Sequence, residues 1–174
     1  MQIEERSYKT ITIEDLEKLR NLALRERIEF FDRNPRYRKT YWNLLIAIAL
    51  CQGAASHFVD REVGVKDFDI WYFYIENRET RYPYRSRKSV DSRLSEFGVH
   101  PDDVEKSYSG RRVHLMGRTI DIDIVERNNK DPKNCIIGYL EKGRTETARE
   151  LAEKAVVGLW PDGIFGKIIW SRTF

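Results

Sequence analysis

A chain of 174 residues, 34% charged and 41% hydrophobic, has the size and balance of one globular domain, which excludes a mainly disordered or fibrous protein. The formal net charge of +3 permits a polyanionic partner if basic residues cluster but does not demand one. The start MQIEERSYKT carries no apolar signal region, and the apolar run at residues 44–51 is far shorter than the ~20 residues of a membrane span, so a cytoplasmic protein without a membrane partner is expected.

Thr12 followed by Asp15 has the form of a capping box. Leu16, Leu19, Leu22, Ala23 and Ile28 then recur at helical spacing, predicting an amphipathic helix from about Glu14 to Phe31 that stops near Asn34-Pro35. Residues 1–36 are read as this helical element, packed on or extending the domain, and residues 37–174 as one compact unit. A basic, aromatic connector, RYRKTYW, leads into NLLIAIALCQG, which is too short and too apolar for periodicity to assign as strand or helix. The run ends at Gly53. A short helix is expected from about Ala54, then a turn near Gly64. Next comes a strand in which Phe68, Ile70, Tyr72 and Tyr74 alternate with Asp67, Asp69, Trp71 and Phe73. Its aromatic run reads as core, although Trp71 shares the face of the acidic pair and could stack a base.

Residues 76–93 hold Arg78, Arg81, Arg85, Arg87, Lys88 and Arg93 against Glu76, Glu79 and Asp91, with Tyr82 and Tyr84 among them. A basic loop interleaved with aromatics can hold phosphates or stack bases, although such a run also suits a solvated loop leading into a helix over about Ser89–Phe97. GRRVHLMGRTIDIDIVER reads as a β-hairpin turning at Met116-Gly117-Arg118, with Ile120, Ile122 and Ile124 alternating against Asp121 and Asp123. A helix over about Thr145–Val157 and a turn-rich tail with a last apolar stretch complete the chain. The predicted class is α+β, a small mixed or antiparallel sheet with flanking helices. Cys51 and Cys135 lack metal-ligand spacing and read as buried free thiols of a reducing compartment.

Period 2 puts Asp67 and Asp69 on one strand face. Carboxylates gathered there repel one another and lose hydration, so a cation is expected, and hard oxygen ligands suit Mg²⁺ or Mn²⁺. Asp121, with Asp123 as the alternative, is the candidate third carboxylate. His114, on the facing strand of the expected hairpin, offers a base or ligand but reads first as a surface or core histidine, and Lys66 reads as a solvated edge residue.

Taken together, LLIAIALCQ, Gly53-Ala54-Ala55-Ser56, Asp67-Phe68-Asp69 and Ile120-Asp121-Ile122 resemble the nucleotidyltransferase superfamily typified by DNA polymerase beta, over roughly residues 40–126. Position 54 is Ala where that family usually has Ser or Gly. The resemblance implies catalytic and metal-binding roles for Asp67, Asp69 and Asp121, and triphosphate binding at Gly53, Ala54, Ser56 and His57. Phosphate or nucleic-acid contacts are expected at Arg85, Arg87 and Lys88. The activity implied is Mg²⁺- or Mn²⁺-dependent transfer of a nucleoside monophosphate from a nucleoside triphosphate to a hydroxyl, with pyrophosphate leaving. The acceptor is a protein, small molecule or nucleic acid, which a partner protein could present. Two further readings are an inactive nucleotide-binding module of the same fold and a nucleic-acid or protein interaction domain using the 76–93 loop.

Overall fold

The computed structural model describes residues 6, 8–61, 63–83, 88–91 and 111–172. Helix α1 (Ile13–Arg33) opens with the expected reciprocal cap: the Asp15 amide donates to Thr12 Oγ1 at 3.1 Å and the Thr12 amide to Asp15 Oδ2 at 2.9 Å. Leu16, Leu19, Leu22, Ala23 and Phe31 are buried against the sheet, whereas Ile28, expected on that stripe, is 48% exposed. Pro35 breaks the first helix and starts a second, α2 (Pro35–Tyr41), because proline is tolerated in a first turn. Most of the connector is therefore helical.

The ambiguous apolar run is strand β1 (Leu45–Cys51), buried along nearly its whole length. It lies between β2 (Phe68–Ile75) and β5 (Ala155–Trp160), antiparallel to both. A strand with neighbours on both edges and helices over both faces has no polar side, which is why its sequence does not alternate. Helix α3 (Gln52–Asp60) joins β1 to β2 and opens two residues before the expected Ala54.

Two further expectations are corrected. Residues 112–120 form one unbroken strand, β4 (Arg112–Ile120), with no turn at Met116-Gly117-Arg118. A Cβ at Gly117 would come within 2.5 Å of the Tyr82 ring, so this glycine admits a packed side chain rather than a reversal. Nor does IDIDIV continue as a strand: Ile122–Arg127 is helix α4, capped by Asp121, whose Oδ1 accepts the Asp123 amide at 3.1 Å. β4 pairs parallel with β2, from Phe68 beside Val113 to Ile75 beside Ile120, and antiparallel with the edge strand β3 (Lys88–Asp91). The start of the expected Ser89–Phe97 helix is thus strand, and its remainder lies outside the described residues.

Helices α5 (Pro132–Lys142) and α6 (Glu146–Ala152) follow, each with a side-chain N-cap, Asp131 and Thr145. The expected helix to Val157 stops at Ala152; Ala155, Val156 and Val157 belong to β5, buried between the two layers. After a 3-10 turn at Asp162–Ile164, β6 (Ile168–Ser171) completes a six-stranded mixed sheet in the order β3-β4-β2-β1-β5-β6. The α+β class is as expected. Helices α1 and α3 cover one face; α4, α5 and α6 cover the other. No described helix is long and apolar enough to cross a membrane.

Cys51 and Cys135 are free and buried. Burial pushes both thiols up, Cys135 to about 11, and likewise raises the phenols of Tyr72, Tyr74 and Tyr82. Folded values above unfolded ones mean that the associated stability is complete below the unfolded thiol value of about 8.5 and is lost as pH rises past it. Urea midpoints should therefore fall steadily between about pH 8 and pH 10.5; a flat profile would contradict this burial. Gly158 faces a second test. A Cβ there would sit 2.1 Å from the Ile164 carbonyl oxygen, so Gly158→Ala should destabilise by about 2–4 kcal/mol in the same assay.

Candidate functional site

Asp67 immediately precedes β2 and Asp69 is its second residue. The parallel register sets Asp69 beside His114 of β4. Alternation then turns Asp69 and His114 to the same face of the sheet. His114 Nε2 lies 3.2 Å from Asp67 Oδ2, and one donor atom from each of Asp67, Asp69 and His114 falls within 4.8 Å of the others. The carboxylate of Asp67 is one-third exposed and the imidazole largely covered, so the cluster opens to solvent on its acidic side.

The same carboxylates line a cavity of about 270 Å³ together with the start of α3, Gln52, Gly53 and Ala54. The space above Gly53 is open: a Cβ there would find no atom nearer than Arg6 Nη1 at 4.0 Å. Cys51 supplies no side-chain cap to α3, leaving first-turn amides and the positive end of the helix dipole to face an anion. Gln52 takes a φ of +62°, a left-handed conformation that costs a non-glycine residue about 1 kcal/mol or more and tends to occur at binding turns. Arg6, Lys66 and Lys154 bring three cations to the cavity, with Glu150 as a further acid. Trp71 also lines it, and its indole Nε1 is buried with no hydrogen-bond partner among the described residues. A buried orphan donor costs about 1–3 kcal/mol, which an acceptor on a ligand would relieve.

Several expected site residues stand elsewhere. Asp121 caps α4 and accepts Arg144 Nη1 at 3.1 Å, and Asp123 lies in that helix's first turn. Because β2 and β4 run in the same direction, Asp121 follows the far end of β4, seven residues beyond His114, or roughly 23 Å along the strand. Neither aspartate joins the pair; His114 occupies the neighbouring-strand position instead. His57 is fully buried, its ring nitrogens 2.8 Å from the Val63 carbonyl oxygen and 2.9 Å from that of Lys9. It ties the N-terminal segment to the loop after α3 and does not face the cavity. Ser56 is likewise not part of the lining, whereas Ala54 belongs both to the lining and to the buried core.

Lys88 pairs with Glu26 at 3.1 Å and Glu29 at 3.5 Å, and Tyr82 is core, so these two do not form a free basic and aromatic surface. Arg85 and Arg87 lie outside the described residues. Lys66 is exposed, as expected of a solvated residue, and also borders the cavity. Arg6, Glu150 and Lys154 had no local signal, since they are distant in sequence from the acidic pair and lie outside the recognised motif. Burial, then the neighbouring Asp69 charge, holds the Cys51 thiol well above its usual range, so it stays protonated beside the site.

Comparison with protein-family models, with curated proteins and with solved structures found no match.

Two carboxylates and an imidazole form a donor set that fits a divalent cation, and the nitrogen ligand favours Mn²⁺ over Mg²⁺. In Mn²⁺ titrations followed by electron paramagnetic resonance, Asp67→Asn and Asp69→Asn should each weaken binding by at least about tenfold, and His114→Ala by a similar factor. Asp121→Asn should leave Mn²⁺ affinity unchanged. Its effect should be on stability, through a weakened cap and the lost Arg144 pair, by about 1 kcal/mol.

Proposed function

We propose that this protein binds a nucleoside triphosphate with Mn²⁺ or Mg²⁺ and transfers the nucleoside monophosphate to a hydroxyl acceptor, releasing pyrophosphate. The observation that carries this reading is the shared cavity: the carboxylate pair and the uncapped first turn of α3 at Gly53 both line it. Backbone amides of Gly53 and Ala54 suit the terminal phosphates, and Arg6, Lys66 and Lys154 offset the remaining charge. Asp67, Asp69 and His114 would hold the cation, which when bound neutralises triphosphate charge and polarises the α-phosphorus. The role of the side chains is positional, keeping the phosphates aligned between amides and carboxylates so that the acceptor oxygen approaches opposite the pyrophosphate.

A second reading, nucleotide binding without transfer, is favoured by one observation. Among the described residues no third carboxylate joins the donor cluster of Asp67 and Asp69; histidine stands there, and an imidazole bound to metal through Nε2 is a poorer base for an acceptor hydroxyl than a free carboxylate. The interaction-domain reading is weakened by the ion pairs of Lys88 and the burial of Tyr82.

Incubation with nucleoside triphosphates labelled at the α-phosphate, Mn²⁺, and protein, RNA or cell-extract acceptors should yield transferred label. Asp67→Asn or Asp69→Asn should lower that yield by at least about a hundredfold, and Asp121→Asn should leave it within about twofold. Metal-dependent triphosphate binding without transfer would select the second reading. Absence of binding would end both.

A further inference from the structure

A larger cavity, of about 420 Å³, lies between α1 and the sheet, on the face that carries Tyr72 and Tyr74 rather than Asp69 and Trp71. Its volume is that of a small-ligand pocket. Glu26, Arg27, Tyr72, Tyr74, Tyr82 and Lys88 supply most of its polar and aromatic wall. Among the described residues, the cavity's charges other than Arg27 are paired. Lys88 pairs with Glu26 and Glu29, and Arg33 with Glu29 at 3.6 Å. Arg27 is only 9% exposed and has no carboxylate within 4.0 Å among the described residues.

The surroundings of Arg27 hold the guanidinium in place without neutralising it. Nε donates to Tyr74 Oη at 3.2 Å and Nη2 donates to the Trp42 carbonyl oxygen. Its carbon lies 4.5 Å from the Trp42 ring centroid, 5.2 Å from that of Phe31 and 5.7 Å from that of Tyr74. Nη1 makes no hydrogen bond among the described residues. Ring quadrupoles attract a cation but leave its net charge intact, and a buried charge without a counter-ion is unfavourable unless something supplies one. Gly117 fits the same picture: a side chain there would collide with Tyr82 and push its ring from the cavity wall.

We propose that this cavity binds a small planar anion, an aromatic ring bearing one carboxylate or phosphate, with the anionic group on Arg27 and the ring against the tyrosine wall. Aromatic faces favour a flat apolar body, and the Arg27 guanidinium, whose Nη1 makes no hydrogen bond among the described residues, can donate to either oxyanion. The proposal is independent of the carboxylate site, which lies across the sheet.

The test uses the full chain in EDTA, so that no divalent cation serves the other site, with benzoate and phenyl phosphate as probes and inorganic phosphate as control. At a hundred times its dissociation constant, one of the two organic anions should raise the melting temperature by roughly 5–10 °C and shift the Arg27 Nε–H cross-peak in ¹H–¹⁵N spectra. Which of them binds more tightly tells whether the ring carries carboxylate or phosphate. Arg27→Met should weaken binding at least about tenfold, and Gly117→Ala should do the same while leaving Arg27 in place. If Arg27→Met does not fold, Gly117→Ala and Arg27→Lys carry the decision. The double variant Asp67→Asn/Asp69→Asn should bind the probe unchanged. No saturable response to either organic anion, or a response that survives both Gly117→Ala and the Arg27 variant, would overturn the proposal. Inorganic phosphate binding as tightly as both organic anions would overturn the role of the ring.

Discussion

Parallel pairing of β2 with β4 is the constraint on which the candidate site depends. In that register Asp69 is the neighbour of His114, and Ile75 is the neighbour of Ile120. Had residues 112–124 folded as a hairpin, an aspartate of the RTIDIDIV stretch could have come back beside Asp67. One continuous strand carries it to the other end of the sheet, where it caps a helix. The site consequently has two carboxylates and an imidazole, and its donor chemistry moves toward a softer divalent cation.

Around this register the fold concentrates opposite charges without cancelling them. The carboxylate pair shares one cavity with the positive end of α3 and with three cations drawn from the N-terminal segment, the residue before Asp67, and the turn before β5. Such a wall is self-consistent for an anion that brings its own cation. Buried His57 contributes indirectly, by fastening the segment near Lys9 to the loop at Val63. Arg6, on the same segment, reaches the Gly64 carbonyl oxygen at 2.9 Å and overhangs the Gly53 turn. The sheet's other face is built on different terms, with the Arg27 cation, which has no ion pair among the described residues, held against aromatic rings.

Local chemistry made some elements legible. The Thr12–Asp15 cap, the break at Pro35 and the alternation from Phe68 to Tyr74 are decided within a few residues by hydrogen bonding, proline sterics and pleat geometry, so they can be read directly. Gly117 and the IDIDIV run could not be read that way. A glycine flanked by strand-like residues serves a turn or a close approach equally well, and only the position of Tyr82 separates the two. Alternating Ile and Asp suits a strand, but once Asp121 accepts the Asp123 amide the same residues form a short helix whose Ile124 and Val125 are buried. The helix expected through Val157 failed similarly, because residues 155–157 gain more from pairing with β1 in the sheet interior than from extending a short helix.

By itself the sequence determined that an acidic pair lies on one face of a strand after a glycine turn, that the class is α+β, and that both thiols are buried, because each follows from the composition and period of a short segment. Which groups complete the site was decided only by tertiary structure. His114, Arg6 and Lys154 are separated from Asp67 by dozens of residues, and their approach depends on strand direction, on register and on where the N-terminal segment is fastened. A period-2 pattern says which face a side chain takes. It carries no information about which strand lies alongside, or in which direction that strand runs.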